Sequence, residues 1–543
     1  MNSVMQTHET FTAEEQALLT PYVTNTDQSI FVLKNLPEVI KGALFSRYSR
    51  STLGLRQLLL KDFILNKDSA FADIQGTPVG SVQDDSLAIQ KAQEFYDRIL
   101  DGYGDDSIGE LGGAHLAIEN ISILATKIIQ DARIGGSPLE KSTRYVTFNK
   151  KVNGEYLFYH EPKLLKSSHR QLYLDTNRFL FDTYSQLIDP VTVYVKTQIP
   201  REGGDREGAY NRSVRAKVFD LIRGVLPASA LTNMGVFGNG RFFEVLLSKL
   251  QSSPSEELQT IAQTTHAELG KVIPSFIRRA EPEHRHLESY QKFIQDSNQL
   301  AQQFTNKHVT NPPEKTSELV QLIDYDPEGE KKLLAALLYP HAEQPLHQLR
   351  EIVSNLSLEE KQAIILQSVA LRENRRHKPG RALEMVFYTF DIQGDYGMFR
   401  DLHRHRILTQ ERQLLSTRFG YHCPEEIVEA GMGKTYQDAM ERAAGAYETI
   451  ARDFPYEAQY VVPLCYNIRW FVHINLRALM WLIELRSTPQ GHENYRKVAQ
   501  AMYRKVEQVH PLLAQYIKFV DLNEYSLGRL GAEIRQETKI SGK

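Results

Sequence analysis

The sequence predicts a predominantly helical fold with a few short strands, built from two similar parts. Apolar residues recur mostly at helical spacing, strand-like stretches are few and short, and two motifs recur in the same order in the two halves. A chain of 543 residues is too long for one compact domain; the prior is about three or four units, or two large ones. Hydrophobic, aromatic and charged shares of 41%, 10% and 24% are ordinary globular values. They exclude a chain disordered throughout, a collagen and a mini-protein.

From the N-terminus, Met1 to Ala13 is polar and acidic and has neither part of an export signal. Residues 31–62 carry apolar residues at helical spacing, broken near Ser51 to Gly54. Tyr156 to Tyr159, Val191 to Val195 and Val386 to Ile392 are β-branched or aromatic enough to be strands. Between Pro282 and Glu330 the chain turns polar, with Pro312-Pro313 and Asp326-Pro327-Glu328-Gly329, which reads as a helical spacer plus linker. Thr435 to Asp453 is an amphipathic helix, with Thr435 and Asp438 as a capping box and Tyr436, Met440, Tyr447 and Ile450 on its apolar face. Trp470 to Leu485 is the most hydrophobic stretch, but His473, Asn475, Arg477 and Glu484 interrupt it. It therefore reads as a buried helix rather than a membrane span, and the chain as cytoplasmic.

The internal repeat has two elements. Ser142-Thr143-Arg144-Tyr145 in the first half matches Ser416-Thr417-Arg418-Phe419 in the second. Val225-Leu226-Pro227 is followed by Asn239 and Arg241, and Val461-Val462-Pro463 is followed at the same offsets by Asn475 and Arg477. The two elements stand much further apart in the first half, from Tyr145 to Pro227, than in the second, from Phe419 to Pro463. The first half therefore carries an insertion, placed within residues 150–212. The competing reading is two unrelated helical domains with coincidental Ser-Thr-Arg turns.

Lys plus Arg is 64 and Asp plus Glu is 67, a net charge of −3. Any phosphate or nucleic-acid site must then be a local basic patch. Cys423 and Cys465 are the only cysteines. A disulfide framework and a four-cysteine metal centre are excluded, and no metal site is expected. Cys465, between Leu464 and Tyr466 with no base nearby in sequence, reads as a core thiol.

The densest cationic cluster is His403-Arg404-His405-Arg406, followed by Arg412, Ser416 and Arg418. Planar guanidinium forks with a hydroxyl suit phosphate or an acceptor-rich ring edge. A solvated face, or a salt-bridge network with Asp401 and Glu411, is the alternative. Asn475 and Arg486 are separated by about three helical turns, which puts both on one face of a helix. Such a polar line on an apolar helix needs a partner once buried, either a bound polar ligand or a structural carboxylate.

These residues together resemble the flavin-dependent thymidylate synthase family. That family is marked by Arg-His-Arg, then Ser-x-Arg and an aromatic, a Leu-Pro element, an Asn and, at the spacing that separates Asn475 from Arg486, a Leu-Arg. The second half has Arg404-His405-Arg406, Ser416, Arg418, Phe419, Pro463, Asn475 and Leu485-Arg486. Leu383-Glu384, Phe387, Thr389-Phe390 and Ile392 resemble the strand upstream, so the likeness covers most of residues 331–519. The first half keeps Glu140, Ser142, Arg144, Tyr145, Arg223, Pro227 and Asn239, but has Asp131-Ala132-Arg133 in place of Arg-His-Arg and Leu250 in place of the late Arg.

The α+β expectation, with a short sheet in each half, rests on this resemblance more than on periodicity. It implies two tandem flavin-dependent thymidylate synthase-like domains: residues 29–281, degenerate, and 331–535, with the Arg-His-Arg motif. An N-terminal segment (1–28), a helical spacer (282–330) and a C-terminal tail (536–543) complete the chain.

The resemblance implies conversion of dUMP to dTMP with methylenetetrahydrofolate, NADPH and FAD, without a cysteine nucleophile. It implies that Arg486 and Arg404 are catalytic and contact the pyrimidine site. Arg404, His405, Arg406, Asn475 and His492 would contact flavin. Ser416, Arg418, Arg486, Glu140, Ser142, Arg144 and Arg223 would bind the nucleotide. Family sites draw on two subunits, and a duplication supplies both faces from one chain. The expected site is therefore a hybrid, with the Glu140 to Arg144 loop of the first half facing Arg404 and Arg486 of the second. A dimer of two-lobed chains would mimic the family's tetramer.

Several positions depart from the family pattern. Ser416 lies further from Arg406 than the family spacing, Asp401 replaces a nucleotide-binding Gln, and Met385 replaces a His. Gln490 stands where a flavin-contacting His is usual, with His492 close by, and Gln459 replaces the Arg before Leu-Pro that Arg223 keeps. A non-catalytic nucleotide-binding or scaffolding relative is thus the competing class. A third reading, nucleic-acid binding through residues 404–418, is opposed by near-zero net charge and the lack of an aromatic-interleaved basic stripe.

Overall fold

A computed structural model describes residues 10–49, 51–65, 109–132, 134–202, 206–311 and 318–541. Arg133, Pro312-Pro313 and the stretch before residue 10 lie outside them. The chain forms two compact units, each discontinuous in sequence. One comprises the described residues of Met1–Glu119, Asp131–Glu140 and Asn233–Asn311; the other comprises those of Asn120–Gln130, Lys141–Thr232 and Pro312–Lys543.

Most of a three-stranded sheet lies in the first unit, with β1 (Gly113–Ser122) and β2 (Gly136–Glu140) flanking β3 (Leu231–Asn239). β2 runs antiparallel to β3, from Gly136 opposite Gly238 to Glu140 opposite Met234. Asn239 ends β3 and accepts a hydrogen bond from Phe242 N at 2.8 Å, starting the helix Gly240–Gln251. The amphipathic helix Arg285–His308 falls in the expected spacer.

The second unit is built on a four-stranded antiparallel sheet, β4 (Val320–Tyr325), β5 (Phe387–Asp395), β7 (Asn467–Asn475) and β6 (Thr409–Arg412) in spatial order. Tyr388, Phe390 and Ile392 pair with Ile474, Val472 and Trp470, and all six are buried. The opposite face carries Thr389, Phe387, Phe471 and His473, as the period of two requires. The long helix Arg170–Gln198 packs against Glu207–Ile222 and Gly433–Ile450 around the same core.

The repeat is visible in what equivalent residues do. Asn475 ends β7 and accepts from Ala478 N at 2.9 Å, as Asn239 does after β3, a strand of the same length. In the two Ser-Thr-Arg loops, Arg144 N donates to Ser142 Oγ and Arg418 N to Ser416 Oγ, at 3.3 and 3.4 Å. The Leu226-Pro227 and Val462-Pro463 elements bridge each other. Pro227 faces Pro463 antiparallel, Ala228 N donates to Val462 O, and Leu464 N donates to Leu226 O, both at 2.9 Å.

Several local expectations are corrected. Val191 to Val195 lies inside the helix Arg170–Gln198, where Val191 and Val195 are both buried, one turn apart. Packing on one helix face overrides β-branched propensity there. Trp470 to Leu485 is not one helix. Alternate burial of Ile468, Trp470, Val472 and Ile474 makes a strand, and the helix Leu476–Arg486 begins only after Asn475. Asn475 and Arg486 therefore stand at opposite ends of that helix. The helix Gly433–Ile450 starts before Thr435, so the capping box does not form, and Asp438 pairs instead with Lys434. The expected spacer also contains β4, which joins the sheet. Val386 to Ile392 is a strand, and the break near Ser51 to Gly54 separates helices Glu38–Tyr48 and Leu55–Leu58. Among the described residues, no helix is long and apolar enough to cross a membrane.

Candidate functional site

Within the second unit, loops from both sequence halves converge on a cavity of about 130 Å³. The loop after β2 brings Ser142, Thr143, Arg144 and Tyr145. Arg223 opens the turn Arg223–Val225, which leads into the crossing at Pro227. The helix Tyr396–Leu402 and the turn after it bring Arg400, Asp401 and Arg404. Arg486 comes from the end of the helix Leu476–Arg486, Tyr495 from the helix Glu493–Val509 and Arg529 from the C-terminal stretch.

Six guanidinium groups and one carboxylate thus line the cavity. Some of this charge is balanced. Arg144 makes a bidentate pair with Asp220 and donates to the Gln490 carbonyl at 3.3 Å. Burial alone would lower the Arg144 pKa, but Asp220 outweighs it and the net shift is upward. Both terminal nitrogens of Arg223 reach Asp401 Oδ2 at 3.3 Å, and Arg404 reaches Oδ1 at 3.3 Å. Burial would raise the Asp401 carboxyl. Arg223, Arg404, Arg144 and Arg486 overcome it and hold it well below the usual carboxylate range.

Arg486 has no carboxylate partner among the described residues. Its Nε donates to His405 Nε2 at 2.9 Å, and its guanidinium lies 5.6 Å from the Tyr495 ring centre. Burial lowers its pKa, with Asp401 opposing. Burial, then Arg486, hold His405 well below its ordinary value, so its ring is a neutral acceptor.

Arg404 and Arg486 also line a second cavity, of about 400 Å³. His405, Arg406 and Asn475 line it too, with Ile474, Met480, Trp481 and Leu485 supplying apolar wall. Guanidinium groups beside an aromatic and aliphatic surface suit a ligand that joins a flat ring system to phosphate. This donor set fits a flavin nucleotide.

The expected residues thus fall into three groups. Ser142, Arg144, Arg223, Arg404 and Arg486 meet at the smaller cavity, and Arg404, His405, Arg406, Asn475 and Arg486 at the larger. Ser416, Arg418, His492 and Glu140 line neither. Ser416 is buried and Arg418 exposed, and Gln459 braces their loop by accepting from Leu415 N at 3.1 Å. Glu140 ends β2 in the first unit. His492 is the N-cap of the helix Glu493–Val509. Its Nδ1 accepts from Asn494 N, and Nε2 faces the Asp220 carbonyl.

Sequence reasoning missed Asp220, Arg400, Tyr495 and Arg529. Asp220 lies just before Arg223 on a helix, where no motif marks it. Cys465 is buried against Met440, and burial pushes its thiol well up, as a core thiol requires. Among the described residues, no group of three His, Cys, Asp or Glu side chains is set to hold a metal ion.

Paired loops, paired Asn caps and the crossed proline elements at Pro227 and Pro463 define a duplicated protein with an arginine-rich site. The sequence model for the thymidylate synthase complementing protein family matches residues 67–275 and 321–512, and the chain belongs to that family as a tandem duplication. It is 49% identical over 527 residues to a UPF0159 protein of Chlamydia muridarum, covering 97% of this chain and 98% of that one. It is 36% identical over 528 residues to a UPF0159 protein of Thermoplasma acidophilum, covering 92% and 99%. A flavin-dependent thymidylate synthase of Sulfurisphaera tokodaii is 26% identical over 215 residues, which cover 36% of this chain and 77% of that protein.

Proposed function

We propose that the chain is a flavin-dependent thymidylate synthase that converts dUMP to dTMP, taking its carbon from methylenetetrahydrofolate and its electrons from NADPH through bound FAD. The observation that carries this reading is the convergence of six guanidinium groups, from both halves, on one small cavity that shares Arg404 and Arg486 with a larger cavity suited to flavin. A phosphate dianion is the natural counter-charge for such a set.

In this reading Ser142, Arg144 and Arg223 hold the nucleotide phosphate. Asp220 and Asp401 keep two of those guanidiniums fixed before substrate arrives. Arg404 and Arg486 face the pyrimidine and favour negative charge on its ring through preorganised donors. Bound flavin supplies the redox chemistry; His405 and Asn475 orient it, and Trp481 walls it. Neither cysteine takes part.

The test is rescue of a thymidine auxotroph by the wild-type gene, with Arg486→Ala as control, alongside absorbance of the purified protein. The expected result is rescue by wild type alone, and a flavin spectrum that changes on adding dUMP. A well-expressed wild type that binds dUMP without flavin or rescue would instead establish a non-catalytic nucleotide-binding relative.

A further inference from the structure

One residue of the smaller cavity comes from beyond the family match, which ends at residue 512. The chain continues through 518–529 into the helix Leu530–Ser541, and this stretch is tied down on both sides. Upstream, Arg496 donates to the Asn523 carbonyl at 2.7 Å, and Gln500 to the Asp521 carbonyl at 3.0 Å. Downstream, Arg212 on the helix Glu207–Ile222 meets Glu533 at 2.8 Å and Glu537 at 2.6 Å. Between these anchors, Gly528 lies so close to Pro489 that a Cβ would stand 1.9 Å from its carbonyl oxygen. Only glycine permits that approach.

The next residue, Arg529, lines the cavity. It lies over the Tyr145 ring, 4.8 Å from its centre, and donates to the Tyr145 hydroxyl. Tyr145 follows directly on Ser142-Thr143-Arg144. Asp220 neutralises Arg144, and Asp401 serves Arg223 and Arg404, but no carboxylate pairs with Arg529 among the described residues. Its Nε is buried without a hydrogen-bond partner. A buried donor without a partner, on a guanidinium that lines a polar cavity and has no carboxylate beside it among the described residues, calls for an anion.

We propose that Arg529 is a further phosphate-binding residue of the nucleotide site, and that residues 519–529 form a strap that holds it there. This rests on the proposed dUMP site and deepens it: part of the substrate grip comes from beyond the segments that match the family. The strap also explains why Gly528 and the Arg212 ion pairs stand where they do.

The test is calorimetric titration of the full-length chain with dUMP and with deoxyuridine, which lacks the phosphate. Arg529→Ala is expected to weaken dUMP about tenfold to a hundredfold, the usual effect of one charge-assisted contact, and to leave deoxyuridine unchanged. Arg529→Lys should recover part of the loss, because charge remains but the fork does not. Gly528→Val, which displaces the strap without touching Arg529, should weaken dUMP in the same direction. Unchanged flavin content and melting temperature check that the variants fold. Wild-type dUMP affinity in Arg529→Ala overturns the assignment, as does equal weakening of both ligands. A wild-type chain that binds no dUMP overturns the functional reading itself, and the role of Arg529 with it.

Discussion

Arg486 Nε donates to His405 Nε2 at 2.9 Å, so a neutral imidazole orients a guanidinium that has no carboxylate partner among the described residues. The histidine belongs to the basic cluster, and the arginine ends a helix 81 positions later. Their contact joins the wall of the larger cavity to that of the smaller one. His405→Ala should free Arg486 to rotate and lower kcat about tenfold to a hundredfold, the effect of losing one hydrogen bond to a charged group. His405→Gln, which can still accept, should recover part of it. Steady-state kinetics on both variants decides. Equal kcat in His405→Ala and wild type would show that Arg486 needs no such support.

The two Ser-Thr-Arg loops share a turn, yet only the first lines the arginine cavity. The first is backed by Arg223, and the second by Gln459, whose amide is spent on backbone. Ser142→Ala with Arg144→Ala should therefore weaken dUMP by tenfold or more, roughly one or two charge-assisted contacts, whereas Ser416→Ala with Arg418→Ala should leave it unchanged. Titration should give one nucleotide per chain. Two nucleotides per chain, or a loss confined to the second-loop variant, would refute the single hybrid site.

Much of the site was legible because its chemistry is local in sequence. Arg404-His405-Arg406 and Ser142-Thr143-Arg144 are short motifs, and their complementary preservation pointed to one site shared by two halves. The capping role of Asn475 is hidden, since Trp470, Val472 and Ile474, which alternate as a strand, stand within the apolar stretch Trp470 to Leu485 that reads as a helix. Asp220, Tyr495 and Arg529 could not be read at all. Each is a single side chain outside any motif, and two of them have partners far away in sequence: Asp220 is 76 residues from Arg144, and Arg529 is 384 from Tyr145. The discontinuous units have the same origin, because the crossing of Pro227 with Pro463 draws residues 141–232 into the fold of the second half.

The helix that ends in Arg486 is held from inside by an ion pair. Glu484, fully buried, accepts from both terminal nitrogens of Arg372 at 2.5 Å, and also from Phe519 N at 3.1 Å. Arg372 further donates to the carbonyls of His377, Tyr516 and Arg375. Removing one partner leaves the other charge buried, which typically destabilises by about 3–5 kcal/mol. Arg372→Ala should fall in that range by urea unfolding and should also lower flavin content. The paired swap Arg372→Met with Glu484→Leu should recover most of the stability, since apolar replacement of a whole buried pair is often near neutral. Full recovery of flavin binding as well would show that the pair contributes stability alone and does not place Arg486.

The last prediction concerns pH and His492. Its ring is buried, its Nδ1 accepts from Asn494 N at 3.1 Å, and its Nε2 lies 3.2 Å from the Asp220 carbonyl. Burial first, then the charge of Arg223, pull its pKa down to about 3; Arg144 adds to this, while the carboxylates of Asp220 and Asp401 oppose it. An unfolded histidine titrates near about 6.5. Between those values the unfolded chain binds a proton that the folded chain refuses, so this contribution to stability is complete above about pH 6.5 and is lost as the pH falls. The slope approaches about 1.4 kcal/mol per pH unit, or about 2 kcal/mol between pH 7 and pH 5. His405, also held neutral, acts in the same direction. The depressed carboxyls of Asp220 and Asp401 weaken the fold only at more acid pH, near the range where unfolded carboxylates titrate. His492→Asn keeps a helix-capping side chain and removes the titration. Its unfolding free energy should therefore fall by about 2 kcal/mol less than that of wild type over the same interval. Urea titrations at pH 7, 6 and 5 on both proteins make the comparison, and parallel pH profiles would mean that His492 takes up its proton in the folded state.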